Sequence, residues 1–401
     1  MRAAALLTLV LVVPFTTAQA AAGPDPNTST SAPSTAPHAP NGSSHRAEAR
    51  KPVPKLRVTT EVGNLKIPWD AQRLPSGELL ITERDRRRLK VWDGEGLRTV
   101  RIPRKSIAAF GETGLMSMAV DADFSRTRRL YVCHGHRTAN GGRDVRVVSW
   151  KLREQPWRVT KRKVLLKGLP TANNGRHGGC RLLLMRNGAL AVGTGDGAVG
   201  SHPQRRTSLG GKVLRLDPRT GRPWRSNPWR KASNRKKRYV FTYGHRNVQG
   251  LAQRRDGRVW SVEHGSYRDD EVNLLRKRGN YGWNPVPGYN ESVPMTNHRL
   301  PGKQRNARWR SGPSTIATSG AKWVRGKQWK RLNNTLAVAA LAGQRLVFMK
   351  FDKQGRLKWT KAPASLRHHG RLRSVTRDAG GDLLVTTSNG TNDRVLRISP
   401  R

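Results

Sequence analysis

The residues best equipped for chemistry fall in one run. Tyr243-Gly244-His245-Arg246-Asn247-Val248-Gln249-Gly250 is followed by Ser261-Val262-Glu263-His264-Gly265, then by Asp269-Asp270-Glu271-Val272-Asn273-Leu274, and Asn280-Tyr281-Gly282-Trp283 closes it. Fixed positive charge, side-chain amides, carboxylates and glycines stand close together. Glycine lets backbone approach a ligand, and carboxylates with carbonyl oxygens suit a hard cation. The mix therefore points to a cofactor and metal site; the competing reading is a loop whose charges are only solvated. A second candidate is His177-Gly178-Gly179-Cys180, where a histidine precedes two glycines. A histidine by itself is most often structural, and this one gains weight from its setting.

Short strands must position these residues, because helical periodicity is scarce. A polar, glycine-containing turn followed by an apolar run recurs at Leu74–Thr82, Met185–Val192, Arg255–Val262 and Asp378–Val385, with a looser copy from Asp121 to Val132. That is a hairpin signature. Partner strands are visible at 89–92, 145–150, 212–216, 345–349 and 395–398. Radial repetition of four-stranded antiparallel sheets accounts for so many similar hairpins better than a sandwich with long loops does. The expectation is an all-β, six-bladed β-propeller over residues 56–401.

Arg2, the apolar run Ala3–Val13 and Ala18-Gln19-Ala20 read as a signal peptide over residues 1–20, so a secreted or cell-surface protein is expected. Residues 21–55, rich in Pro, Ser, Thr and Ala, read as a disordered linker. No further segment reads as transmembrane. Cys133 and Cys180 are the only cysteines; in an oxidising compartment a bridge is expected, the alternative being two buried thiols. With 77 basic against 26 acidic residues the formal charge is +51, which favours nonspecific adhesion to anionic surface polymers. No nucleic-acid motif accompanies the charge, and specific nucleic-acid binding is not expected. Gly193-Thr194-Gly195-Asp196-Gly197 looks like a dinucleotide loop, but no helical pattern follows it. His134 and His136 read as loop histidines, and the tryptophans, Trp69 and Trp283 among them, as core residues.

Taken together, the motifs resemble the soluble quinoprotein glucose and aldose sugar dehydrogenases. Pro68-Trp69-Asp70, Thr82-Glu83-Arg84, Gly111-Glu112-Thr113-Gly114-Leu115, His177-Gly178-Gly179-Cys180-Arg181-Leu182, Gly195-Asp196-Gly197 and the run from Tyr243 to Trp283 occur in the expected order. The resemblance spans about Val62 to Ser399. It implies a six-bladed propeller using pyrroloquinoline quinone (PQQ) and Ca2+, an aldose sugar as substrate and an external electron acceptor. It also implies His177 as general base and Arg246 and Asn247 beside the reactive quinone carbonyl. Glu112 and Gln249 would share that pocket, and Arg371 and Arg373 would clamp cofactor carboxylates. The carbonyls of Gly265 and Ser266 would hold calcium. A second calcium would use Glu271 and Glu291 with the carbonyls of Tyr281, Pro287 and Tyr289.

Three positions depart from the family pattern. Ala342 stands where a PQQ-binding lysine is frequent, Ser266 where proline is usual, and Ser374 where aspartate follows the arginine pair. These shifts, with the charge of +51, support a competing reading: a non-catalytic basic propeller that binds anionic cell-surface polymers.

Overall fold

The recurring glycine turns fold alike. In Leu74–Glu78, Met185–Ala189, Arg254–Arg258 and Asp378–Asp382 the first residue's N–H donates to the fifth residue's carbonyl, and the fourth residue's N–H donates to the first residue's carbonyl. That fourth residue is Gly77, Gly188, Gly257 or Gly381, with φ between 86° and 110°. This is the left-handed region, where a Cβ would strain the chain. The motif seen in sequence is thus one specific turn at all four of these positions.

The computed structural model describes residues 52–401, and among them the chain is almost entirely strand and turn. The signal peptide expected over 1–20 and most of the linker expected over 21–55 lie outside the described residues. After β1 (Leu56–Leu65) come β2 (Pro68–Arg73), β3 (Leu79–Glu83), β4 (Arg88–Trp92) and β5 (Leu97–Val100), which form the first blade. The second is β6 (Leu115–Val120), β7 (Arg129–Arg137), β8 (Arg143–Arg153) and β9 (Arg158–Leu169). The third is β10 (Arg181–Leu184), β11 (Leu190–Gly193), β12 (Lys212–Leu216) and β13 (Val240–Tyr243). The fourth is β14 (Val248–Gln253), β15 (Val259–Glu263), β16 (Glu271–Leu274) and β17 (Trp309–Arg310). The fifth is β18 (Thr318–Trp323), β19 (Leu336–Ala340), β20 (Arg345–Phe351) and β21 (Leu357–Lys361). The sixth joins β22 (Leu372–Arg377), β23 (Leu383–Thr387) and β24 (Asp393–Pro400) to β1, so the two ends of the ring share one sheet. All pairings within the blades are antiparallel.

Six apolar clusters hold the ring together, each sandwiched between adjacent blades. Alternation along a strand explains them. In β19, Ala337 and Ala339 pack towards the sixth blade, whereas Leu336 and Val338 pack towards the fourth. Both faces of such a strand are buried, so it reads as a continuous apolar run rather than an alternating one. The innermost strands β2, β6, β10, β14, β18 and β22 neighbour one another in a closed circle around the axis. Five of them lose register with their partner strand, at Pro68/Asp70, Leu115/Met118, Val248/Gly250, Thr318/Ala321 and Leu372/Val375. Such bulges re-aim side chains. Gln249 and Arg373 sit within two of them.

The four glycine turns connect first and second strands and lie at one end of the ring. The links between blades, and those between second and third strands, lie at the other. The candidate residues gather at this second end.

Candidate functional site

His177 lies in the link between β9 and β10, in a left-handed conformation with φ 55°. Its N–H donates to Glu112 Oε2 at 3.1 Å and its carbonyl accepts from Gly197 N at 3.2 Å. Gly195 must lack a side chain here: a Cβ would stand 1.9 Å from the His177 carbonyl oxygen and 2.9 Å from Asn247 Oδ1. The imidazole is 2 % exposed. Its Nδ1 lies 2.8 Å from Asp196 Oδ1 and 2.9 Å from the Tyr289 hydroxyl. Tyr289 donates its own proton to Asp196 Oδ2 at 2.7 Å, and Trp283 Nε1 donates to the same oxygen at 2.8 Å. A carboxylate opposite Nδ1 places the ring proton there and leaves Nε2 as the acceptor. Among the described residues Nε2 has no partner.

Arg246 lies two residues before β14, and its N–H donates to Glu263 Oε2 at 2.9 Å. Glu263, itself buried, also meets His245 Nδ1 at 2.7 Å and Asn273 Nδ2 at 2.9 Å. The Arg246 guanidinium lies 5.7 Å from the Trp283 ring and pairs with Glu291, which Arg176 grips through both oxygens at 2.7 and 2.6 Å. Burial alone would raise the Glu291 carboxyl; the two arginines hold it below its ordinary range. Deeper in, Arg373 Nη1 donates to Gln249 Oε1 at 3.3 Å, and Gln249 Nε2 reaches Asn247 Oδ1 at 3.2 Å. The Trp69 ring lies between two guanidiniums, Arg181 at 4.2 Å and Arg373 at 5.4 Å. Burial, then the charges of Arg84 and Arg181, pulls Arg373 down to about 9.

Five buried polar atoms in this region have no partner: Arg246 Nε, Asn247 Nδ2, His264 Nε2, Ser266 Oγ and Arg373 Nε. Buried polar groups are ordinarily satisfied, and each orphan costs about 1–3 kcal/mol. The five are predominantly donors, and two belong to guanidiniums. This is the complement of a planar, polyanionic quinone, so the residues present fit PQQ. Arg371 sits exposed at the rim. Ala342 is exposed in the turn between β19 and β20, where Arg345, three residues on, carries a further buried and unpartnered Nε.

The calcium expectations divide. Gly265 N donates to Asp270 Oδ1 at 2.9 Å, and Asp270 is fixed in turn by Thr315 Oγ1 at 2.8 Å and Ile316 N at 2.7 Å. Among the described residues no hydrogen bond is donated to the carbonyls of Gly265 and Ser266, which leaves both available to a hard cation. The second set is not drawn into one shell. Glu271 lies in β16, bonded to Asn273 Nδ2 and Thr296 Oγ1 at 3.1 Å each, with Arg310 Nε at 3.5 Å. Burial, then Glu263, pushes its carboxyl up to about 8. Glu291 is engaged by Arg176 and Arg246, Tyr281 donates its hydroxyl to the Leu274 carbonyl, and Pro287 is exposed. As placed, with guanidiniums against both carboxylates, these residues do not fit a cation. Among the described residues no three His, Cys, Asp or Glu side chains gather as a metal-holding group.

Sequence reasoning missed Asp196 and Tyr289 as partners of His177, Glu291 as the partner that Arg246 shares with Arg176, and Glu263 as the anchor beneath Arg246. Asp196 stood in a quoted motif, but nothing in its spacing tied it to a histidine 19 residues earlier. Cys133 and Cys180 are bridged, tying β7 to the residue before β10. His134 and His136 lie on β7 rather than in a loop.

Fold and site define a closed six-bladed propeller with an anion-accepting pocket at its axis and a carboxylate-backed histidine at the edge of that pocket. Residues 65–397 match the glucose/sorbosone dehydrogenase family, and the chain belongs to it. It is 28 % identical over 345 residues to an aldose sugar dehydrogenase of Escherichia coli, covering 83 % of this chain and 90 % of that one. A PQQ-bound aldose sugar dehydrogenase from Streptomyces coelicolor superposes with a TM-score of 0.72 at 26 % identity, covering 88 % of this chain and all of the other. A Thermus thermophilus protein provisionally assigned as a glucose dehydrogenase superposes at 0.74 with 32 % identity, over 86 % of this chain and all of that one.

Proposed function

We propose that this protein is a PQQ-dependent aldose dehydrogenase that oxidises the anomeric carbon of a sugar to a lactone and passes the electrons to an external acceptor. The observation that carries the proposal is the pairing of a buried histidine, Nδ1 locked and Nε2 free, with the group of orphaned donors on Arg246, Asn247, His264, Ser266 and Arg373. PQQ would supply the two-electron acceptor, and Ca2+ at the Gly265 and Ser266 carbonyls would supply a Lewis acid. His177 Nε2 takes the anomeric hydroxyl proton as the hydride leaves the same carbon. Asp196 keeps Nδ1–H in place and stabilises the imidazolium that results. Arg246 places positive charge where negative charge develops. Arg373, with Arg371 at the rim, holds carboxylates. Glu112 fixes the His177 backbone. The apolar run at the N-terminus supports export, so the reaction would take place outside the cytoplasm.

The test is reconstitution. Apo-protein given PQQ and calcium should show a quinone absorbance change on adding glucose and should reduce an acceptor dye. His177→Ala should retain PQQ binding and lose at least about a hundredfold in kcat, the lower bound of general-base contributions. Turnover near the parent rate would remove His177 from its role. Failure of the parent to bind PQQ at all would favour the non-catalytic reading.

A further inference from the structure

The axial channel holds a second charged site at the end opposite His177. A cavity of about 180 Å³ is lined from all six innermost strands, by Gln72 and Asp70 (β2), Val120 (β6), Arg181 (β10), Leu251 (β14), Lys322 (β18) and Val375 (β22) among others. Two of its cations are underused. Arg181 is 6 % exposed; its Nε donates to the Gln249 carbonyl and its Nη1 to Asp70 Oδ2, but its Nη2 has no partner. Among the described residues the Lys322 ammonium makes no hydrogen bond or ion pair, and the side chain is half-buried.

The single carboxylate there is already committed. Asp70 accepts from Ala71 N, Gln72 Nε2, Ser117 Oγ, Met118 N and Arg181 Nη1, at 3.0 to 3.3 Å. Around the mouth positive charge predominates. Lys322 feels the repulsion of Arg377, the attraction of Asp70 and the repulsion of Arg325, and Arg325 feels the repulsion of Arg377, Arg186 and Arg255. Burial, then the repulsion of Arg377, depresses the Lys322 ammonium below its ordinary range. Nearby acids are occupied: Asp378 binds Arg73 and Arg397, and Asp256 binds Arg254. Cations converging on a cavity with no free carboxylate leave an unmet demand for negative charge.

We propose that this mouth of the channel binds a tetrahedral oxyanion, a phosphate or sulfate group either free or carried at the end of a larger molecule, between Lys322 Nζ and Arg181 Nη2. A tetrahedral oxyanion offers several acceptor oxygens, enough to meet an ammonium and a guanidinium N–H at once while others face Arg377 and Arg325. The site is separate from the sugar-oxidising pocket and does not depend on that reading.

The experiment titrates inorganic phosphate into the full chain by calorimetry and thermal melting, with chloride holding ionic strength constant. A saturable rise in Tm is expected, with a one-to-one component that Lys322→Gln weakens at least tenfold. An Arg235→Ala/Lys236→Ala double variant, on the outside of the third blade, should leave that component unchanged. Lys322→Gln removes a half-buried ammonium held among other cations, so its phosphate-free Tm should equal or exceed the parent's. Equal phosphate affinity in parent and Lys322→Gln would overturn the site and show an adventitious ion only. Crystals soaked in selenate provide an independent test: anomalous density between Lys322 and Arg181 supports the site, and its absence overturns it. Comparison of free phosphate with a phosphate-terminated saccharide separates the sources, since a carried group should bind more tightly and a free ion equally well or better.

Discussion

At the scale of single residues, Asp196 organises the site. One carboxylate receives His177 Nδ1, Trp283 Nε1, the Tyr289 hydroxyl and Ala198 N. Asp196→Asn keeps the shape and reverses part of the hydrogen-bond polarity, because an amide nitrogen cannot accept from Nδ1–H. The histidine would then favour the tautomer with Nδ1 as acceptor, and Nε2 could no longer take a proton. A fall in kcat of at least about a hundredfold is expected with PQQ affinity changed little, measured by steady-state kinetics alongside cofactor titration. Arg373 presents the opposite balance. Its guanidinium is buried, carries an unpartnered Nε and is pulled down to about 9. A cation whose folded pKa lies below its unfolded value binds fewer protons when folded. Its destabilising effect is therefore complete below about pH 9 and fades as pH climbs from there towards the ordinary arginine range. Arg373→Met should raise the Tm of cofactor-free protein at pH 7 by a few degrees and weaken PQQ binding at least tenfold. A lower Tm in the variant would show that Arg373 stabilises the empty pocket instead.

Strands translate this chemistry into position, and one of them carries a titration. His134 on β7 is 2 % exposed, with Nδ1 on the Gly135 carbonyl and Nε2 unpartnered. Burial lowers it to about 4 from 6.5. The unfolded chain thus binds the extra proton first, and stability should fall as pH drops from about 6.5 to about 4. His134→Met should flatten the Tm profile in that window; an unaltered slope would assign the acid sensitivity elsewhere, with His264, also lowered to about 4, the next group to test. Legibility in the sequence varies at this same scale. The glycine turns were readable because one backbone conformation demands the same residue each time. The fifth blade lacks that turn between its first and second strands, which are joined through a 3-10 segment, Lys327–Leu332, and no hairpin copy is visible there. The segment Glu271–Leu274 read as a ligand loop because it is rich in carboxylate and amide, yet it is the buried third strand β16, where Glu271 and Asn273 serve neighbours on Glu263 and Thr296. Motif order placed His177, Arg246, Asn247, Gln249 and Arg373 in one region. It could not supply the Asp196–His177 contact, made at the third blade across 19 residues of loop and strand, or the Arg176–Glu291–Arg246 contacts, which join loops of the third and fourth blades.

For the molecule as a whole, closure is the decisive step. His177, Arg246, Asn247, Gln249 and Arg373 sit on or beside innermost strands, and those strands form a closed circle because the sixth blade unites both ends of the described chain. β1 pairs with β24 from Leu56↔Pro400 to Leu65↔Asp393. Its side chains join two interfaces: Val62 and Leu65 enter the core shared with the first blade, and Leu56 and Val58 pack on the core shared with the fifth. Asp393 completes the joint from the other end, receiving Ile67 N at 2.9 Å, Thr387 Oγ1 at 2.7 Å and Asn389 N at 2.6 Å. Removing residues 56–65 would strip the sixth blade of its outer strand and expose β24 as an unpaired edge, a template for intermolecular pairing. It would also open the apolar interface between the sixth and first blades. The truncated chain should melt at least about ten degrees lower or be recovered as aggregate, and a synthetic peptide spanning 56–65 added during refolding should restore part of the lost monomer. Size-exclusion chromatography and thermal melting measure both. A truncated chain that stays monomeric with the parent Tm would mean that packing between blades, without the shared sheet, suffices to hold the ring and its axial pocket.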